Sequence, residues 1–444
     1  MNSEYSKKSL GDCVSIITGF PFKSEDFNTD EKGIRLVRGK NVTKGSLRWG
    51  EDTRYWSNVS DDLLKYKLLK DDIVIGMDGS LVGRNYAKIS EKDLPLLLVQ
   101  RVAALRALNN IRQEYVYFLI DNERFINYID SIKTGTSIPH ISVKQIKNFE
   151  VLLPSLEEQN QIISILQPLY DKIELNNAIN KNLEEMAQAL FKRWFVDFEF
   201  PNENGEPYKS SDGEFEESEL GFIPKGWTLK PIYDMADFIN GTSFKADEIG
   251  GAGVPIIKIA ELKSGITQQT KFYQAMGKDG KYYLDNGDIL FSWSGNPDTS
   301  IDTFIWYRGN GILNQHIFKV VPGDVKLRGY IYTLLKYMKS TFARIAGGKQ
   351  TTGLGHVTVK DLQRLQIVYP CYDILSAFSQ VINPIVTQII NTNIENEILI
   401  KTRDSLASKL MSGEIRVPLN EEYPISKSSD LPLATESKAQ YSST

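Results

Sequence analysis

Two cysteines in 444 residues, Cys13 and Cys371, supply neither a disulfide framework nor a thiolate metal cluster. Three histidines, spread as His140, His316 and His356, argue against a structural zinc site. No apolar run approaches the ~20 residues that a membrane span requires. Met1–Gly11 is polar where a signal peptide would carry its apolar stretch, so the expected compartment is a reducing cytoplasm. Signatures of nucleotide and cofactor binding are missing as well. Gly347-Gly348-Lys349 is followed by Gln350, where a phosphate loop would place its magnesium-binding hydroxyl. No dinucleotide glycine fingerprint follows a strand. Asn296-Pro297-Asp298 and Asn383-Pro384-Ile385 both fall short of the Asp/Asn-Pro-Pro-aromatic run that positions an amino group for methyl transfer. A nuclease-like metal site can be forced from Pro297-Asp298 with Asp324-Val325-Lys326, but the match is loose and nothing elsewhere in the chain repeats it.

What is present is a soluble, globular composition, 41% apolar and 24% charged, in a chain too long for one core. The net charge of −4 is unevenly spread. Residues 1–150 carry +3, 151–228 carry −9, 229–371 carry +5 and 372–444 carry −3. Mildly basic globular parts between acidic connectors are compatible with nucleic acid on the former, and equally with an ordinary mixed surface.

The strongest pattern is a helix that occurs twice. Steps of four and three through Gln159–Phe195 give Ile162, Leu166, Leu169, Ile173, Asn176, Asn180, Leu183, Ala187, Leu190 and Trp194. The same steps 216 residues later give Phe378, Ile382, Ile385, Ile389, Thr392, Asn396, Leu399, Arg403, Leu406 and Leu410, and Pro168 falls on Pro384. A stripe this narrow needs a partner helix. Two such stripes in one chain can cover each other, and the long connections allow an antiparallel pair of helices, each ~50 Å long. Asn180 and Asn396 then stand mid-seam, where buried amides fix register, or are half-exposed and inert. One stripe serving another protein is a third reading. The mismatch of Ala187 with Arg403 says that one end is more than a two-helix contact.

The globular parts repeat too. Residues 10–154 read as mixed α/β, with strands at Val14–Ile17, Ile34–Val37, Asp72–Ile75 and Leu96–Leu105 and a helix over Gln113–Ile132. A short helix over Ser142–Ile146 and a strand at Phe149–Leu153 follow, with Pro154 expected in the first turn of the long helix. Residues 229–371 answer motif by motif: Ile17-Thr18-Gly19 with Ile239-Asn240-Gly241, Asp72-Ile73-Val74 with Asp288-Ile289-Leu290, and His140 to Lys144 with His356 to Lys360. Gly19 and Gly241 are expected in tight turns. The loops diverge: Asp78 to Arg84 faces Ser292 to Ser300, and Lys133 to Pro139 faces Lys349 to Gly355. A shared scaffold with unlike polar loops suits two binding modules with different ligands. The expected fold class is α+β, two similar α/β domains joined by two long helices in an antiparallel coiled coil, as an internal repeat. The expected boundaries are 1–154, helix 155–198, linker 199–228, second domain 229–371, helix 372–415 and a flexible tail 416–444.

In this order, Ile17 to Lys23, Thr134 to Pro139, Leu153 to Asn160, Leu190 to Phe198 and Glu219 to Trp227 resemble the specificity subunits of type I restriction–modification systems. The second domain departs from the pattern, with Thr351 to His356 where the first has Thr134-Gly135-Thr136-Ser137-Ile138-Pro139. The resemblance implies a non-catalytic reader of double-stranded DNA with two target-recognition domains and a bipartite, asymmetric target. It implies that the helices act as spacers, about one helical turn of DNA (~34 Å) between domains, and dock two methyltransferase subunits and two restriction/translocase subunits. This chain would bind no cofactor; S-adenosylmethionine, ATP and magnesium would belong to the partners. On that basis the DNA contacts are expected at Lys23, Ser80, Arg84, Asn85, Thr136 and Ser137 in the first domain, and at Lys245, Ser294, Asn296, Lys349, Gln350 and Thr351 in the second. His140 and His356 suit structural or phosphate contacts better than catalysis. Two other classes compete: a coiled-coil adaptor without sequence preference, and a self-contained restriction enzyme or methyltransferase.

Overall fold

A computed structural model describes residues 5–135, 138–349 and 353–418. The expected tail beyond them, and four expected contact residues, Thr136, Ser137, Gln350 and Thr351, lie outside the described residues. The chain divides into two compact units, one made of residues up to Asp171 together with those from Lys401 onward, the other of Lys172–Ile400.

In the first unit a five-stranded sheet runs in the order Val14–Thr18, Val102–Ala107, Ile73–Gly76, Tyr86–Lys88, Val42–Leu47. A smaller sheet sets Ile34–Val37 between Tyr55–Trp56, antiparallel, and Leu96–Leu98, parallel. The second unit repeats the plan. Asp237–Asn240, Ile317–Val321, Ile289–Ser292 and Asp302–Ile305 follow in the same order. Val254–Ile257 again lies between an antiparallel strand, Phe272–Tyr273, and a parallel one, Gly311–Leu313. Register is kept as well: Ile75 faces Ala103 in one, Phe291 faces Phe318 in the other. These are strands because β-branched and aromatic residues alternate or run continuously between turn residues, and the central ones are covered on both faces.

The two glycines of the repeated motif are needed for close passage of backbones, and the expectation of a tight turn gives way to that. A Cβ on Gly19 would stand 2.2 Å from the Val99 carbonyl, and one on Gly241 2.1 Å from the Asn314 oxygen. The apolar run Leu96–Leu105, expected as one strand, is two: Leu96–Leu98 and Val102–Ala107 belong to different sheets, with a turn at Gln100-Arg101 between them. The helix expected over Gln113–Ile132 is also broken, into Gln113–Ile120 and Glu123–Ile132. Asn122 caps the second piece by accepting from Arg124 N at 2.9 Å.

The long helices span Leu156–Phe195 and Tyr372–Ser412 and run on through Pro168 and Pro384. Pro154 precedes the first one instead of opening its first turn; Ser155 supplies the cap, its hydroxyl accepting from Glu158 N at 3.2 Å. Gly413, with φ +76°, ends the second. In the first unit Ile162, Leu166, Ala407, Leu410 and Met411 close the core of the domain. In the second, Ala187, Phe191, Trp194, Phe195, Phe378, Ile382 and Val386 do so. The pairing is antiparallel in each unit. Asn176 meets Asn396 and Phe195 meets Phe378 in the second; Glu158 meets Arg416 and Tyr170 meets Arg403 in the first. Leu169, Leu183, Leu190, Ile385, Leu399 and Leu406 are half-buried, Ile173 and Ile389 buried. Arg403, the residue out of pattern, lies over the Tyr170 ring at 4.8 Å and faces the enclosed Asp121 carboxylate at 3.7 Å.

The mid-seam amides behave differently from expectation. Asn396 accepts from Asn176 at 2.9 Å and donates to Asn177 at 2.9 Å. Asn180, one helical turn on, has its amide enclosed with no hydrogen-bond partner among the described residues. The connector after the first helix is also structured. Phe215–Ser218 pairs with Gly221–Pro224, and Phe200 stacks on Tyr208 and Trp227 at 4.5 and 4.8 Å.

Replacing Asn176 by Leu strips a buried amide of its partner and is expected to lower stability by about 1–3 kcal/mol, whereas Asn180→Leu removes an unpaired polar group and is neutral or stabilising. Denaturant melts of the two variants beside the parent check the contrast.

Candidate nucleic-acid interface

In the first domain the two divergent loops meet. Asp78 and Thr134 both bridge to His140. Gly79 N donates to the Pro139 carbonyl at 2.9 Å, Ile141 N to that of Met77 at 2.9 Å, and the Thr134 hydroxyl lies 3.1 Å from His140 Nε2. His140 therefore ties loops together, as a structural residue. Ser80 and Arg84 are exposed on this surface and Asn85 is half-buried. Arg84 is engaged, its guanidinium 2.6 Å from Asp130, which also takes Lys133 at 2.8 Å. The Lys133 hydrogen bond, against partial burial and with help from Arg84, holds the Asp130 carboxyl below the usual carboxylate range. Lys23 stands exposed on a third loop, before the turn Ser24–Asp26.

The second domain joins its loops in the same way. Ser294-Gly295 pairs with Gly355-His356, and Val357 N donates to the Trp293 carbonyl at 2.8 Å. Ser294 is half-buried; Lys245 and Asn296 are exposed. Asn296 Oδ1 accepts from Asp298 N, Thr299 N and the Thr299 hydroxyl, all at 3.1 Å, so its acceptor side is spent on shaping the turn. Lys349 is ion-paired with Asp361, whose carboxylate completes the capping box begun by Thr358 at the start of helix Val359–Arg364.

Sequence reading missed the turn that joins these loops. Gln100 N donates to the Phe20 carbonyl at 2.9 Å, and Met77 N to that of Arg101 at 2.9 Å. The equivalent turn in the second domain is Gln315-His316, with His316 5.5 Å from the Trp293 ring and Trp293 Nε1 donating to Asn240 at 3.0 Å. All four turn residues are exposed. The available signal was the pair of polar residues interrupting an apolar run at the same place in each repeat.

Asp324 of the forced nuclease pairing is engaged in local structure. Asp324 caps the turn Val325–Leu327, accepting from Lys326 N at 2.9 Å, and receives the Tyr372 hydroxyl at 3.2 Å. Among the described residues no group of three or more His, Cys, Asp or Glu is placed to hold a metal, and no helix is long and apolar enough to cross a membrane.

Against known proteins, the profile of one family, the type I restriction modification DNA specificity domain, matches residues 2–185 and again 224–401. The chain is 28% identical over 330 residues to the type I restriction enzyme MjaIX specificity subunit of Methanocaldococcus jannaschii, covering 73% of this chain and 74% of that one. It is 26% identical over 372 residues to the HindI specificity subunit of Haemophilus influenzae, covering 69% and 78%. The crystal structure of a type I restriction-modification S subunit from M. genitalium shares the fold, with a TM-score of 0.53 at 14% identity over 92% of this chain and 96% of that one.

Burial raises the Asp361 carboxyl, but hydrogen bonds from Lys349 and Thr358 outweigh it and leave the group below its ordinary value. A depressed carboxyl stabilises the fold above its unfolded pKa of about 3.9 and loses that contribution as pH falls through the lower folded value. Asp361→Asn should melt below the parent at pH 7, and the gap should close as the melts are taken from pH 5 toward pH 2.

Proposed function

We propose that this chain, which belongs to the type I restriction modification DNA specificity family, reads a bipartite, asymmetric double-stranded DNA target, one half-site per globular domain. As a specificity subunit it determines target recognition and is itself a non-catalytic component of the restriction–modification enzyme. The observation that carries the bipartite reading is the duplicated scaffold with divergent loops: the same strand order brings the 77–85 loop to Thr134 and His140 in one domain and the 293–300 loop to Gly355 and His356 in the other. A shared order of the central strands gives both domains the same way of meeting a duplex, while unlike loops give the two halves different sequences.

The reading domains are residues 1–154 and 229–371. In the first, Lys23 and Arg84 meet phosphates or base edges, and Ser80, Asn85, Thr136 and Ser137 share in the contacts. In the second, Lys245 and Lys349 play the cationic part, and Ser294, Asn296, Gln350 and Thr351 share in the contacts. Arg84 and Lys349 are held by Asp130 and Asp361, carboxylates that are themselves partly covered, so each meets DNA with the donors its partner leaves free. The long helices at 155–198 and 372–415 space the domains and carry two methyltransferase subunits, and through them two restriction/translocase subunits, in the cytoplasm. S-adenosylmethionine, ATP and magnesium serve those partners.

Mapping methylated bases in the genome of a host that carries the partner methyltransferase, with and without this chain, tests the reading. A new gapped, non-palindromic motif should appear with the chain. A motif unchanged by its presence, or a continuous palindrome, would contradict the proposal.

A further inference from the structure

Resting on that reading, we infer that the exposed Gln100-Arg101 turn is a base-reading element in which Arg101 recognises a guanine, and that His316, at the same place in the second domain, makes the two half-sites differ there.

Arg101 adopts φ +66°, a left-handed backbone that non-glycine residues enter at a cost. The turn is pinned from three sides: Gln100 N donates to Phe20, Met77 N to the Arg101 carbonyl, and Val102 N to Val99, at 2.9, 2.9 and 3.2 Å. Phe20 and Met77 start two of the loops already described, so the turn stands where those loops converge. A backbone held in this way sets where its side chains leave the surface. The Arg101 side chain is nevertheless 67% exposed, and its one described polar contact is Nη1 to Asp78 Oδ2 at 3.0 Å.

The Asp78 contact decides between phosphate and base. A carboxylate beside a guanidinium repels a phosphate, and an exposed pair of this kind adds little stability. What it does supply is orientation. It occupies one side of a planar group with five donors and leaves the rest of the fork for a neutral acceptor. Guanine presents such an acceptor pair, O6 and N7, in the major groove, and bidentate arginine is the side chain that matches it. In the second domain the carboxylate has no counterpart: Ser294 stands at the place of Asp78, and His316 lies against Trp293 with Gln315 Nε2 at 3.5 Å. That turn cannot make a buttressed arginine fork, so it selects a different base pair.

The experiment is selection from a randomised duplex library at fixed salt, using the full chain assembled with its methyltransferase subunits. Arg101→Ala should make one G·C position of one half-site degenerate, a loss of roughly 10- to 100-fold in discrimination, with the other half-site unchanged. Arg101→Asn, which suits a left-handed backbone and matches adenine N6/N7, should shift that same position from guanine toward adenine, an outcome a merely structural role would not produce. If Arg101→Ala fails to fold, the Asn variant decides alone. Wild-type preference at every position in the Asn variant, or uniform weakening of both half-sites, overturns the inference and leaves the bipartite reading standing. A parent chain that selects no bipartite motif overturns the reading itself.

Discussion

An apolar stripe on a long helix has to be covered, and most of this molecule follows from how the chain covers two of them. Each stripe is too narrow to make a core and too long to leave in water. The first helix begins in one compact unit and ends in the other, and so does the second in reverse. Each domain core is thus closed by a segment of both helices: Ile162 and Leu166 with Leu410 in one, Phe191 and Phe195 with Phe378 in the other. Neither domain is complete with its own sequence-adjacent helix alone. The polar residues near the seam serve this closure. Asn396 bonds with both Asn176 and Asn177, and Arg403 reaches Asp121 at a domain face, so a slipped pairing would strand buried polar groups.

With the scaffold fixed in this way, the reading surface is free to vary. Gly19 and Gly241 let one backbone pass hard against another at the same point in each repeat, and a β-carbon at either would collide with a carbonyl. That crossing brings the loops together. What the loops carry can then differ, acid and arginine at 78 and 101, serine and histidine at 294 and 316, without disturbing the strands beneath.

The parts legible in the sequence are those with a period or a repeat. The heptad seam, the strand Ile34–Val37 and the Ser142-capped helix Val143–Lys147 were readable because local pattern and burial agree there. The domain duplication was readable because motifs recur at a nearly constant offset. What stayed hidden depends on tertiary pairing. The amide partner of Asn396 is Asn176 and not its counterpart in the repeat, because antiparallel packing sets unlike positions against each other. Arg84 and Lys349 were visible as cations, but their tethers to Asp130 and Asp361 were not. The Gln100-Arg101 turn was lost inside an apolar run, since periodicity does not show where a strand leaves one sheet for another.

The central claim is that two separate heads read two separate half-sites. Hydroxyl-radical footprinting of the chain with its methyltransferase subunits on a selected duplex tests it most directly. The account predicts two protected stretches divided by bases at which protection is insensitive to sequence. A single protected stretch, or protection that does not depend on sequence in either stretch, would contradict it.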